Sequence, residues 1–224
     1  MENLKFTNKK PIDFIGKKKI FNFLNLDSLW YFKNETIYQR VILEKENVNF
    51  PDGRMVGRRL KIEQVRGPFF TKCFLKQKKS KGKKHFFIGN VKKREIMLNS
   101  NLKTKEIEIY NPEYIKKIEF SKEEKLRILN QLKKFKPGFI WVGVGSPKQE
   151  ILSNQLFKDY KADYFNVGAA FDYLAGNKKE AQRVWRVLGL EWFYRLITDF
   201  KHSKRKVLRH FIALKYLRSV KLDG

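Results

Sequence analysis

Three short runs carry residue types that can do chemistry. Pro51-Asp52-Gly53 follows the apolar run Val48-Asn49-Phe50. A carboxylate with a reference pKa near 3.9 is ionised at neutral pH and can accept a proton. After a strand-like run, Asp52 is expected to project from a strand end, although Pro-Asp-Gly is equally an ordinary turn sequence. The second run is Gly143-Val144-Gly145-Ser146-Pro147-Lys148-Gln149-Glu150, after the apolar Phe139-Ile140-Trp141-Val142. Proline is favoured at the first helical position, which predicts a helix from Pro147. A helix amino terminus presents unpaired N–H groups and the positive end of a dipole, suited to a diphosphate or to sugar oxygens. Glu150 is equally readable as a capping or dipole residue. The third run, Phe165-Asn166-Val167-Gly168-Ala169-Ala170-Phe171-Asp172, repeats the pattern of apolar strand, glycine turn and polar residue. Carboxylates such as Asp172 hold ribose hydroxyls in nucleotide sites, and also make good helix N-caps. Gly143, Gly145 and Gly168 let a backbone approach a ligand closely, and a turn alone explains Gly168 as well.

Strand ends carrying such residues need a sheet behind them. Residues 19–24, 47–50, 85–89, 106–110, 139–143 and 163–167 read as strands. Helical patterns fill 26–41, 68–79, 91–98, 122–135, 147–160 and 177–188. The helix from Lys122 has clear local logic: Ser121 and Glu124 form a capping box, and Leu126, Leu129 and Leu132 recur at helical spacing. Alternating strands and helices predict an α/β fold, a mostly parallel sheet with helices on both faces. Two small-residue strand tips side by side then make a crevice at the carboxyl edge of the sheet, where open α/β sheets bind nucleotides.

A chain of 224 residues, 42% hydrophobic and 15% aromatic, has the material for one core. No run reaches the roughly 18 consecutive apolar residues of a spanning helix. Met1 to Pro11 is polar and does not read as a signal peptide. Cys73 is the only cysteine, so no intrachain disulfide forms. The formal charge of +27 points to an anionic partner: nucleic acid, anionic lipid or a diphosphate. The six lysines between Lys76 and Lys84 read as a solvated loop. Between Lys201 and Lys221 lie eight basic residues and no acid, interleaved with Val207, Leu208, Phe211, Ile212 and Leu214. That is the pattern of a basic amphipathic helix at a membrane surface, and an ordinary packed helix has the same pattern. The chain divides accordingly into an α/β domain over 1–199 and a basic helical tail over 200–224.

The runs Gly145-Ser146-Pro147-Lys148-Gln149-Glu150, Ala169-Ala170-Phe171-Asp172 and Gly189-Leu190-Glu191-Trp192-Phe193-Tyr194-Arg195, with Pro51-Asp52-Gly53 upstream, resemble the WecG/TagA/CpsF glycosyltransferase family. The resemblance extends over roughly residues 18–210 and lies in the order and spacing of the motifs. It implies a Rossmann-like fold and an inverting transferase. That enzyme would move an N-acetylhexosamine-type sugar, such as N-acetylmannosamine or its uronate, from UDP to a polyprenyl-diphosphate-linked acceptor. The place would be the cytoplasmic membrane face, in polysaccharide or wall-polymer synthesis. Asp52 would be the general base. Gly143, Gly145, Gln149, Glu150, Gly168, Phe171 and Asp172 would meet the donor. Asn25, Arg66, Arg195, Arg205 and Arg209 would meet the acceptor or its diphosphate, and the tail would meet the anionic membrane.

No Asp-x-Asp pair stands at a strand end and His85, His202 and His210 are scattered, so no metal or other cofactor is expected. A homo-oligomer is left open. The sequence departs from the family at Phe23-Leu24-Asn25, where a Thr-Pro-Asn is usual. Gln64 stands near an expected Arg, Phe69 near an expected Asp, and Glu180 within an expected Arg-Ala-Pro. These departures point to a divergent member, with a different donor sugar or with the fold kept and activity lost. A basic nucleic-acid-binding protein is the alternative of another class, supported by charge and lacking any nucleic-acid motif.

Overall fold

The computed structural model describes residues 4–176, 209, 212–217 and 221–222. Six strands build one parallel sheet: β2 (Ile20–Leu24), β3 (Asn47–Pro51), β4 (His85–Ile88), β5 (Ile107–Tyr110), β6 (Phe139–Val142) and β7 (Asp163–Asn166), in the order β3-β2-β7-β6-β4-β5. All six fall where apolar runs place them. A separate two-stranded parallel pair joins β1 (Lys5–Phe6) to β8 (Lys221–Leu222).

Alternation along each strand divides the core. On β4, His85 and Phe87 point to one face and Phe86 and Ile88 to the other. The first face meets Phe21, Phe50, Trp141 and Phe165, under α4 (Gly67–Leu75), α5 (Lys93–Leu98) and α8 (Ala170–Leu174). The second meets Ile140, Val142 and Tyr164, under α6 (Lys122–Phe135) and α7 (Lys148–Asp159). A sheet buried on both faces needs the near-continuous apolar strands seen here. α1 (Leu26–Asn34), α2 (Thr36–Leu43) and α3 (Arg54–Leu60) pack a further core with Leu24, Ile151, Ala213 and Leu217.

The structure corrects several boundaries. The single helix expected over 26–41 is two, because Glu35 is extended and the Asn34 amide bonds the Trp30 carbonyl at 2.7 Å, closing α1. The helix expected from Pro68 to Lys79 ends at Leu75. Its lysine-rich continuation is exposed turn around a buried Ser80, whose hydroxyl bonds the Gln77 and Leu75 carbonyls. Pro147 precedes α7 instead of opening it. α3 and α8, of seven and five residues, are too short to show a periodicity. The helix expected over 177–188 lies outside the described residues, as does the proposed division at residue 199.

Candidate active site

Parallel register brings the chemistry to one edge. Asn22 pairs with Asn49 and with Asn166, and Asn166 with Val142. A few residues beyond that row, at the carboxyl ends, come Asp52 after β3, Asn25 after β2, Gly168 after β7 and Gly145 after β6. At about 4.8 Å per strand, Asp52 and Gly145 stand three strands apart, about 14 Å. The loops after β4 and β6 leave in opposite directions, the first toward β5 and the second toward β7. Such a switch point opens a crevice in a parallel sheet.

Phe171 occupies that switch point. It is 2% exposed. A Cβ on Gly143 would lie 2.6 Å from its ring, and one on Gly89 would lie 3.0 Å away. The missing side chains at both glycines therefore make room for this ring. Gly145, by contrast, faces open space with φ +84, and Gly168 has φ +52. These two, with the half-buried Ser146 and Ala169, form the accessible rim. Asp172 sits half-buried in the first turn of α8, just past the strand end, its N–H bonded to the Ala169 carbonyl at 3.1 Å.

The start of α7 is closed by the chain's own groups. The Gln149 N–H donates to the Gly145 carbonyl at 3.0 Å. Gln149, 3% exposed, turns inward: its Oε1 accepts from the Gly168 N–H at 3.0 Å and its Nε2 donates to Glu150 Oε1 at 2.9 Å. Ser146 Oγ donates to the same oxygen at 2.6 Å. Burial raises the pKa of the Glu150 carboxyl, opposed by those two donors. Lys148 donates to the Ile115 carbonyl and lies over the Tyr114 ring, and burial lowers its pKa.

At the β3 end, Asp52 is half-buried, and its N–H donates to the Leu24 carbonyl at 2.9 Å. The next bond out, from the Val65 N–H to the Pro51 carbonyl at 2.8 Å, brings Arg66 to the same strand end. The Arg66 guanidinium lies over the exposed Phe69 ring at 5.5 Å. Asn25 is exposed, and its Oδ1 caps α1 through the Ser28 N–H at 3.2 Å. Sequence reasoning missed Arg54, Arg58 and Lys61. They line an open pocket with Gln64, directly after Asp52. The sequence did not mark them because α3, with Lys61 as its C-cap, is too short for its helical spacing to be read.

Arg209, expected to meet the acceptor or its diphosphate, lies against α1. Its guanidinium stacks 4.4 Å over the Trp30 ring and donates to Tyr31 Oη at 3.0 Å, on α1. Arg195 and Arg205 lie outside the described residues, with the run from Gly189 to Arg195. Among the described residues, no three His, Cys, Asp or Glu side chains are grouped to hold a metal. No helix there is long and apolar enough to cross a membrane.

Sheet order, a switch point, and polar loops gathered at one edge define a Rossmann-like α/β protein, a class whose ligands bind beyond the carboxyl ends of the strands. A more particular assignment comes from comparison: the model of the glycosyl transferase WecG/TagA/CpsF family matches residues 8–222, nearly the whole chain. The chain belongs to that family, whose members are glycosyltransferases of cell-surface polysaccharide synthesis.

Proposed function

We propose that this chain transfers an N-acetylhexosamine-type sugar from UDP to a polyprenyl-diphosphate-linked sugar, with inversion, at the inner face of the cytoplasmic membrane. The observation that carries the reading is the placement of Asp52. It stands on the same carboxyl edge as the rim made by Gly145, Ser146 and Gly168, about 14 Å across. A donor lying over that rim puts its anomeric carbon toward β2 and β3. An acceptor hydroxyl entering beside Asp52 then loses its proton to the carboxylate. The freed oxygen attacks the anomeric carbon from the side opposite the diphosphate. The bond from that carbon to the phosphate oxygen breaks, and UDP leaves with the electron pair. General-base help of this kind contributes roughly 10²–10⁴-fold.

Arg54, Arg58 and Lys61, in the pocket lined by the segment that follows Asp52 in the chain, suit the acceptor's diphosphate. Arg66 flanks the same end, and its stack on Phe69 leaves an apolar face for a sugar ring. Asp172 suits the donor's ribose. The basic residues from Lys201 to Lys221 suit an anionic membrane, each contributing about 1 kcal/mol near such a surface. Transfer needs no metal in this scheme, since the cations stabilise the departing charge.

The test is Asp52→Asn, which removes proton acceptance at constant volume. Turnover of a UDP-N-acetylhexosamine with a polyprenyl-diphosphate sugar should fall about 10²–10⁴-fold. UDP affinity by calorimetry and the melting temperature should stay those of the parent. Near-parental turnover in this variant overturns the base assignment.

A further inference from the structure

Glu150 is an acid with no solvent contact in the middle of the site: it is 0% exposed. Charged groups are rarely buried so completely unless they are paired. Its partners are neutral. Oε1 takes two donors, Ser146 Oγ at 2.6 Å and Gln149 Nε2 at 2.9 Å. Oε2 has no hydrogen-bond partner among the described residues, and neither does the buried Tyr38 Oη on α2. The groups that act on this carboxyl are the Ser146 hydroxyl, the Gln149 amide and its own backbone N–H, none of them a cation.

The bonds have a direction. A primary amide has one acceptor oxygen and one donor nitrogen. With Nε2 committed to Glu150, the Gln149 oxygen must face the other way, and it does, accepting from the Gly168 N–H at 3.0 Å. Gly168 has φ +52 and half-open surroundings; its neighbours are held by the Val167 N–H on the Val142 carbonyl at 3.0 Å and the Ala170 N–H on the Val167 carbonyl at 3.1 Å, and the Gln149 bond is the one that reaches the Gly168 amide itself. Glu150 thus connects the loop after β6, through Ser146 and Gln149, to the loop after β7, through Gly168. These are the two loops that form the rim of the crevice.

We propose that Glu150 is a positioning residue for glycosyl transfer: it orients the Gln149 amide and thereby holds the Gly145–Ser146 and Gly168–Ala169 loops at one fixed separation. The inference rests on the crevice being the donor site. It assigns Glu150 to the scaffold of that site and not to the sugar or the phosphates. The task requires an accepting oxygen and no charge. A wholly buried, half-partnered carboxylate is strongly disfavoured as the anion, and burial raises its pKa accordingly. Glutamine at 150 supplies the same accepting oxygen to Ser146 and Gln149. Alanine supplies none.

The experiment compares the full chain with Glu150→Gln and Glu150→Ala by two readouts. The first is hydrogen exchange at the Gly168 amide, which needs no substrate. The second is kinetics with a UDP-N-acetylhexosamine. In Glu150→Gln, Gly168 stays protected and kcat/KM stays within about threefold of the parent, since the geometry is kept. In Glu150→Ala, the Gly168 amide exchanges at least about tenfold faster and kcat/KM falls about 10- to 100-fold, the scale of an ångström of misplacement. Should Glu150→Ala fail to fold, Gln149→Met keeps the volume, removes the link, and should open Gly168 in the same way. Equal Gly168 exchange in the parent, Glu150→Ala and Gln149→Met overturns the proposal. So does a Glu150→Gln variant as impaired as Glu150→Ala, because the charge would then be the active feature. If the parent does not use a UDP-sugar, the functional reading fails alone, and the Gly168 exchange still decides the role of Glu150.

Discussion

Glycines in a nucleotide-type crevice invite the reading that a ligand lies against them. Gly143 shows that the neighbour can be the protein itself. The Phe171 ring lies 2.6 Å from where a Gly143 Cβ would stand, against Cδ2 and not the far end of a flexible chain. The ring also touches the Gly89 position and packs 5.9 Å from the Phe87 ring, so it has nowhere to retreat. Gly143→Ala should therefore cost about 1–3 kcal/mol by overpacking, read as a lowered denaturant midpoint. Adding Phe171→Leu should recover part of that loss, although Phe171→Leu alone destabilises. Two losses that simply add would show that Phe171 is not what excludes the methyl group. Gly145, by contrast, has open space around it, and its φ of +84 is itself a reason for glycine there.

At the scale of elements, α7 is joined to the sheet by a line of asparagines. Asn166 Nδ2 donates to Asn22 Oδ1 at 2.6 Å, and Asn22 Nδ2 donates to Asn47 and Asn49 at 2.8 and 2.9 Å. From α7, Ser153 Oγ donates to Asn166 at 2.6 Å, and Asn154 Nδ2 bonds Asn47 at 3.2 Å. The network crosses β3, β2 and β7, the strands that carry Asp52, Asn25 and Gly168. It fixes the register of those ends, because a slip by one residue would turn every asparagine to the other face. Asn166, 1% exposed, is its centre. Asn166→Leu should strand the Asn22 carbonyl oxygen and the Ser153 hydroxyl, costing about 1–3 kcal/mol for each unsatisfied group. Equilibrium unfolding in urea measures it. A loss under about 1 kcal/mol would mean that the network relaxes around the gap.

At the scale of the whole molecule, two features set behaviour in solution. The first is where the chain ends meet. β8 pairs with β1, and Ala213 and Leu217 are 1% and 5% exposed among α1, α2 and α3. These described tail residues thus share a core with the amino terminus, while Lys215 stays exposed. The second is His85, 0% exposed on β4. Its Nδ1 accepts from Trp141 Nε1 at 3.0 Å, so its Nε2 carries the proton and donates to the Ser80 carbonyl at 3.0 Å. Protonating Nδ1 would set two donors against each other. Burial, the largest cause, lowers its pKa to about 4, against about 6.5 in an unfolded chain. The fold therefore favours the neutral ring. The stability this contributes is complete above pH 6.5 and is lost as the pH falls from there toward 4, up to about 3 kcal/mol. An NMR titration should show the His85 ring neutral down to about pH 4, with the urea midpoint falling over that window. A ring titrating near 6.5 would remove the effect.

Much of the fold was legible in the chain because a sheet buried on both faces demands runs such as Phe139-Ile140-Trp141-Val142, and such runs mark themselves. The six strand positions, the parallel α/β class and the motif-bearing strand ends follow from local composition and spacing. So does the cap of α6 by Ser121, whose Oγ accepts the Glu124 N–H at 3.1 Å. Boundaries set by single side chains were not legible: Asn34 ends α1 through one bond to Trp30, and α3 is a seven-residue helix without a period. The inner order of the site was beyond the sequence altogether. Gln149, Glu150 and Gly168 are separated by up to 19 residues, yet they form one hydrogen-bonded link. Phe171 and Gly143 are far apart in the chain, and Arg209 reaches across 178 residues to Tyr31. Local propensity depends on neighbours a few residues away. Which side chain fills which gap depends on strand order, and strand order exists only once the sheet has closed.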